Sequence, residues 1–278
     1  MGALNGPQGI TIGLGVLSWK APRTLSQTLA TYADGDLFSL FDDARILFQE
    51  ISDQDRDVAE VFGLSASGTT NNIGIFGGVK ALLEEIDCDY VLLLENDCPL
   101  IESHAEAVRQ LSAALHDAEG FGIPVFRFRS LAAPGQDFAT LGKFRRYFDD
   151  RLPSVSARAA WLARIRRWVR PRKAQRLQGI AAYAMPDPER AFPNVFCRTE
   201  RGNLVTASPY LNWTNQSILV RRDWMLNVIL PYVAAHPSSR LVNGFSDIEK
   251  ELNRPWWRKQ RFPIGLAPGL FTHERVDR

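Results

Sequence analysis

The chain has 278 residues, 45% of them hydrophobic and 23% charged, an ordinary balance for a globular protein with a sizeable core. No apolar run approaches the ~20 residues of a membrane-spanning helix, and three cysteines without metal-binding spacing, Cys88, Cys98 and Cys197, fit reduced thiols better than a disulfide framework. The formal net charge of +2 averages over an uneven distribution, and the N-terminus lacks a secretory pattern, so the expected location is cytoplasmic, peripheral at most at the inner face of a membrane.

Residues 10–17 read as a first buried strand ending at Ser18-Trp19-Lys20-Ala21-Pro22. Thr24 is a plausible N-cap for a helix through Leu25, Leu29 and Tyr32, closed near Gly35. Arg45–Ile51 predicts a second strand with Glu50 near its end, followed by a short acidic helix around Gln54–Phe62. Ser65–Thr70 predicts a third strand, and Asn71-Asn72-Ile73-Gly74 leads into a helix ending near Ile86. Tyr90–Glu95 is an uninterrupted apolar run, the pattern of a strand buried on both faces. This alternation predicts an α/β domain with a largely parallel sheet.

After a helix near Glu102–Leu115 the alternation fails. Residues 143–176 carry twelve Lys and Arg against two Asp, a net +10 that leaves −8 for the rest of the chain. Within them Trp161, Leu162, Ile165, Trp168 and Val169 share one helical face, Arg164, Arg166, Arg167 and Arg170 the other, and Pro171 should stop the helix. Residues 184–209 read as irregular. Regular structure resumes at Trp213–Val220, with helices around Trp224–Ala235 and Asp247–Leu252 and a last strand near Phe262–Leu266.

Ligands of parallel sheets bind beyond the carboxyl ends of the strands. There Glu95 and Asp97, two apart, point to the same side if strand geometry persists, and could hold a divalent cation and through it a nucleotide's phosphates. Around this pair the order of motifs resembles the GT-A-fold glycosyltransferases, in particular the inverting family 2 group. Leu17-Ser18-Trp19-Lys20-Ala21-Pro22 takes the place of the nucleotide-contacting segment. Glu50 or Asp53 matches the acidic residue near the end of the second strand, and Asn72-Ile73-Gly74 a frequent step before the next helix. Glu95-Asn96-Asp97 matches the metal- and diphosphate-binding motif, with Glu in place of the usual first Asp. Gly244-Phe245-Ser246-Asp247-Ile248-Glu249 matches the helix start that carries the catalytic aspartate, with Ser246 where an acid often stands. Leu270-Phe271-Thr272-His273 matches a C-terminal histidine that completes the metal site.

The resemblance implies an α/β, GT-A-like nucleotide-diphospho-sugar transferase fold with a mostly parallel central sheet flanked by helices. One domain over 1–278 is expected: a nucleotide-sugar-binding half at about 9–115, a basic helical insertion at about 140–180 and an acceptor half at about 205–278. It implies a metal-dependent inverting glycosyltransferase moving a sugar, from a UDP-sugar, to a saccharide or lipid-linked acceptor in bacterial surface polysaccharide synthesis. Donor contacts fall to Ser18, Trp19, Glu50, Asp53, Asn72, Gly74, Glu95 and Asn96. Asp97, His273 and Glu95 would hold Mn²⁺ or Mg²⁺, Mn²⁺ tolerating an imidazole. Asp247 is the expected general base, with Glu249 second; as plain structure, Ser246 or Asp247 would serve as a helix N-cap. Trp213, Trp256 and Trp257 are candidates for packing against an acceptor sugar, although large aromatics also serve as core.

The basic segment fits two readings: an amphipathic helix at 156–170 on an anionic membrane surface, or an insertion packing its Trp161 and Trp168 face on the main domain. No recognition motif supports nucleic-acid binding. A nucleotidyltransferase that makes nucleotide-sugars is a related alternative, but the Gly-rich loop it needs after the first strand is missing. A non-catalytic membrane or partner adaptor on a degenerate transferase fold is the other.

Overall fold

The computed structural model describes all residues except 1–3, 5, 137–138, 152–155, 240, 242–243 and 277–278; of these, 152–155 lie inside the expected basic insertion. The first half alternates as the sequence predicts: β1 (Ile12–Trp19), α1 (Pro22–Asp34), β2 (Asp43–Gln49), α2 (Asp53–Val61), β3 (Ser65–Thr69), α3 (Gly74–Glu85), β4 (Tyr90–Glu95) and α4 (His104–Phe121). Helix α1 starts at Pro22 and not after Thr24. A proline suits the first helical turn, where its missing N–H has no partner to lose, and Thr24 is buried within the helix. Ser52 caps α2 in a reciprocal capping box with Asp55.

Strands β1 to β4 are parallel, with β1 between β2 and β4. Strand order reverses at β1, and a doubly wound sheet opens its ligand crevice at that switch point. Trp19 is level with Gln49, and Leu17 with Glu95, so the ends of three strands converge there.

The second half adds β5 (Val125–Arg129), α5 (Ala139–Phe148), α6 (Ala157–Val169), α7 (Pro171–Leu177), β6 (Cys197–Arg198), β7 (Leu204–Ala207), β8 (Ile218–Arg221) and β9 (Pro263–Phe271). One sheet runs in the order β3-β2-β1-β4-β8-β5-β9-β7-β6. β8 is antiparallel to both β4 and β5, β5 is parallel to β9, and β7 is antiparallel to β9 and β6. The central sheet is therefore mixed: wholly parallel across β1 to β4, and mostly antiparallel beyond β4, where β5 and β9 form the one parallel pair among the described strands. β5 falls where the sequence predicts no strand: Val125-Phe126-Arg127-Phe128-Arg129 buries Phe126 and Phe128 in the core and turns Arg127 and Arg129 to a cavity on the other face.

Apolar side chains fill both faces of the sheet. Leu14, Val16, Leu25, Leu29, Tyr32 and Phe126 pack on the side of α1 and α4. Leu17, Leu82, Phe144, Ile248 and Trp257 pack on the side of α3 and the basic helices.

The basic segment forms three helices. Pro171 ends α6, as expected, but also opens α7 at its first position. α5 anchors the group through Phe144 and Phe148, stacked at 5.0 Å. α6 then turns Ala163 inward, together with Arg167, whose guanidinium bonds both carboxylate oxygens of Asp150 at 2.5 and 2.6 Å and the carbonyl of Tyr147. The expected packing of Trp161 and Trp168 on the main domain does not occur: they are 61% and 83% exposed. Ala163 and the ion pairs of Asp150 with Arg167 and Arg164 face the helix inward instead.

Candidate active site

A cavity of about 210 Å³ opens at the switch point, lined in part by Trp19, Gln49, Asn72, Gly74, Ser246 and Arg275. Its corner is fixed by backbone bonds: the Asn72 side-chain oxygen accepts the Gly74 N–H at 2.7 Å, and the Gln49 side-chain oxygen accepts the Ile73 N–H at 2.9 Å. Gly74 has φ +72°, and a Cβ there would lie 2.5 Å from that of Phe245. Only glycine lets this corner meet the 245–246 segment from the other half of the chain.

The Trp19 indole N–H donates to Glu50 at 2.6 Å and Lys20 reaches the same carboxylate at 3.0 Å. Together they hold Glu50 below its ordinary carboxylate value, the indole bond first. Glu50 thus braces Trp19 and is not among the lining residues. Ser18 is buried and accepts a bond from Asn96 at 3.3 Å, so it orients the turn after β4. Asp53 sits exposed at the start of α2, outside the cavity. Among the donor-side residues expected from sequence, Trp19, Asn72, Gly74, Glu95 and Asn96 line the cavity. Gln49 and Arg275 line it without having been expected: Gln49 precedes the acid that drew attention, and Arg275 follows His273 in a tail with no predicted structure.

The turn Glu95-Asn96-Asp97 is held by α1, whose Thr28 hydroxyl donates to the Asn96 carbonyl at 2.9 Å and Tyr32 hydroxyl to the Cys98 carbonyl at 2.6 Å. The C-terminal tail runs alongside. Glu274 N–H donates to the Asp97 carbonyl at 2.9 Å and Val276 N–H to the Thr24 hydroxyl at 3.1 Å, which sets His273 Nε2 3.2 Å from the Asp97 carboxylate. Asp247 and Glu249 come near enough to act on Glu95. Its carboxyl is pushed up to about 8, by burial first and then by the charges of Asp97, Glu249 and Asp247, with Arg275 opposing.

A cation near Asp97 would relieve part of this negative charge on Glu95. Asp97 and His273 offer a carboxylate and an imidazole, a set that suits Mn²⁺ and, with less imidazole character, Mg²⁺. Among the described residues, no three or more His, Cys, Asp and Glu come together as a group that could hold a metal ion. A cation that takes most of its ligands from phosphate oxygens and water needs only one or two protein donors, so the residues present fit one that arrives with a nucleoside diphosphate.

A second cavity of about 350 Å³ lies on the other side of this pair, and His273 lines it. Arg127 and Arg129 of β5 form part of its wall with Tyr183, Trp213 and Glu249. Arg129 binds the carbonyls of Pro134 and Gln136 at 2.7 and 2.8 Å and the Gln216 side chain at 2.9 Å. Arg127 is buried and donates to the Asn212 carbonyl. Burial opposes the charge on both guanidiniums.

Glu249 opens onto this cavity, its carboxylate accepting the Asn215 N–H at 3.1 Å. Burial raises it above its ordinary value, with Asp247 adding to the shift. Asp247 lines neither cavity. One of its oxygens accepts the Glu249 N–H at 3.1 Å and the Asn215 side-chain amide at 3.2 Å, and it caps helix Ile248–Leu252. The plain structural role is the one its contacts describe.

Of the three tryptophans proposed for an acceptor, Trp213 lines the cavity. Trp257 does not: it is fully buried, with its indole N–H on the Leu211 carbonyl at 2.9 Å, and no sugar can reach it. Trp256 stacks on Tyr232 at 3.7 Å, away from the cavity lining. Both pack helix Pro255–Gln260 instead.

Gly135 crosses the tail at close range. It has φ +75°, and a Cβ there would lie 2.3 Å from the His273 carbonyl, which also accepts the Gln136 N–H at 3.1 Å. Gly135→Ala should therefore cost about 1–3 kcal/mol, read by urea denaturation. Unchanged stability would mean that the crossing tolerates a side chain.

No protein-family model matches the chain, and no curated protein matches it in sequence. Solved structures do. The structure of S. aureus TarS, residues 1–349, aligns over 95% of this chain and 60% of its own length, with a TM-score of 0.51 and 12% identity. The fold is that of the GT-A nucleotide-sugar transferases. Glucosyl-3-phosphoglycerate synthase from Mycobacterium tuberculosis, solved with Mn²⁺, UDP and glucosyl-3-phosphoglycerate, aligns over 96% of this chain and 73% of its own, at TM-score 0.48 and 13% identity. The mannosyltransferase PcManGT from Pyrobaculum calidifontis, solved with GDP-Man and Mn²⁺, aligns over 44% of this chain and 36% of its own, at TM-score 0.36 and 11% identity. The chain thus spans less than two thirds of the TarS and PcManGT structures.

Proposed function

We propose that this protein is a metal-dependent glycosyltransferase that moves a sugar from a nucleotide-sugar, a UDP-sugar, to a saccharide or lipid-linked acceptor with inversion. The observation that carries this reading is the Asp97–His273 pair standing between two cavities, one at the switch point and one walled by Glu249, Arg127 and Trp213. The nucleotide would lie in the first, its base or ribose against Trp19, Gln49 and the Asn72–Gly74 corner. Its diphosphate would reach Asp97 and Arg275. Mn²⁺ or Mg²⁺ held by Asp97 and His273 would neutralise charge on the leaving diphosphate.

The acceptor would fill the second cavity. What supports Glu249 over Asp247 as the base is exposure to that cavity together with a raised proton affinity, since a base works best with a pKa near the operating pH. Asp247 then holds Asn215 and the start of the helix that presents Glu249. With the base on the acceptor side and the diphosphate on the other, one in-line displacement inverts the anomeric carbon. Trp213 offers an aromatic edge for sugar C–H groups, and Arg127 and Arg129 make the wall cationic. Surface polysaccharide assembly is a setting consistent with such chemistry.

Thermal denaturation with a panel of nucleoside diphosphates, each with and without Mn²⁺, tests the reading. A ligand that binds only the native state must raise the melting temperature, and the largest rise is expected for UDP with Mn²⁺. Stabilisation by none of the panel would sink the proposal.

A further inference from the structure

We propose that helix α6 docks this protein on an anionic lipid bilayer. Trp161, Ile165, Trp168 and Val169 follow one another at i, i+4, i+7 and i+8, so they form a single stripe. They are 61%, 36%, 83% and 57% exposed. The opposite side of α6, through Ala163 and Arg167, is the one that packs on the body of the protein. A lone exposed apolar residue needs no explanation, but a contiguous stripe with two tryptophans marks an interaction surface.

Charge decides what covers it. The stripe lies in a segment of net +10, and Arg158, Arg164, Arg166, Arg170 and Arg172 around it are all exposed. Two copies meeting through this face would bring those arginines together, which opposes self-association. An interfacial helix needs this combination: apolar and aromatic side chains that enter the headgroup boundary, with arginines beside them that meet anionic lipid. Tryptophan in particular favours the interface between headgroups and acyl chains. The inward-facing Arg167–Asp150 pair keeps the stripe outward without any lipid present.

The proposal does not depend on sugar transfer, although the two fit. The same insertion supplies Thr140, Ile180 and Tyr183 to the wall of the second cavity, so a bilayer-bound α6 would hold that cavity at the membrane surface.

The test is flotation of the purified protein with phosphatidylcholine vesicles, with and without phosphatidylglycerol. Wild type should bind the phosphatidylglycerol vesicles, more weakly as salt is raised, and bind pure phosphatidylcholine poorly. Trp161→Ser with Trp168→Ser should lower the partition coefficient by about tenfold or more, with an unchanged melting temperature because both side chains are exposed. Arg158→Glu with Arg172→Glu should weaken binding to anionic vesicles alone. Failure of wild type to bind, or equal binding by the tryptophan variant, overturns the proposal. Equal binding of wild type to neutral vesicles overturns the anionic assignment. A wild-type dimer that the tryptophan variant dissociates, with no vesicle binding, assigns the stripe to a second copy instead.

Discussion

Glu249→Gln is expected to lower turnover about 10²–10⁴-fold, the range that a positioned general base supplies, while leaving the melting temperature and the stabilisation by UDP with Mn²⁺ unchanged. Glutamine keeps the shape of the side chain and its acceptor for the Asn215 N–H, and loses only the ability to take a proton. Asp247→Asn retains an acceptor for the Glu249 N–H and should cost less than tenfold in turnover. Asp247→Ala removes the cap and should cost about 1 kcal/mol of stability. The pH profile adds a readout that a structural role would not move. The base must be ionised to act, so kcat/KM should fall as pH drops through the Glu249 pKa. Burial raises that pKa, which places the acid limb above the ordinary glutamate range. Near-complete loss in Asp247→Asn with full turnover in Glu249→Gln would return the role to Asp247.

Asp247 and Glu249 show where sequence reading stops: Glu249 lines a cavity and Asp247 lines neither of the two. β1 and β4 are legible from their buried apolar runs, whereas β3, Ser-Ala-Ser-Gly-Thr, carries no such run and is legible only from the alternation around it. The order Trp19, Asn72–Gly74, Glu95–Asp97 and His273 is legible through its resemblance to the motif order of the GT-A glycosyltransferases. The placement of the two carboxylates of Asp247-Ile248-Glu249 involves two bonds from Asn215, more than thirty positions away, one to each acid, and no local pattern carries it. β5 is not legible for a related reason. Arg127 and Arg129 break its apolar run because one of its faces serves a cavity, and sites are where local and global rules part. The pattern of α6 is amphipathic in the sequence, but the choice of inward face is not legible there. It was made by Ala163 and the Arg167–Asp150 pair, which a hydropathy pattern ranks below two tryptophans.

Asp97→Asn is expected to abolish the Mn²⁺-dependent part of UDP stabilisation and to lower turnover on the order of 10³-fold, the equivalent of several kcal/mol of charge stabilisation. A ligand at about a hundred times its Kd adds about 2.7 kcal/mol to native stability, a shift of several degrees that the variant should not show. The substitution is close to isosteric, and the backbone bonds that place the turn, from Thr28 and Glu274, involve carbonyls and not this side chain. The ligand-free melting temperature should therefore stay near that of wild type. His273→Ala should do less: it removes the imidazole but leaves the carboxylate, so the preference for Mn²⁺ over Mg²⁺ should narrow while dependence on a divalent cation persists. Glu95→Gln separates the two acids of the motif. Glu95 faces the charges of Asp97, Asp247 and Glu249 at once, so neutralising it should be tolerated better than neutralising Asp97. A greater loss of Mn²⁺-dependent stabilisation in Glu95→Gln than in Asp97→Asn would move the cation from the Asp97–His273 pair to the end of β4.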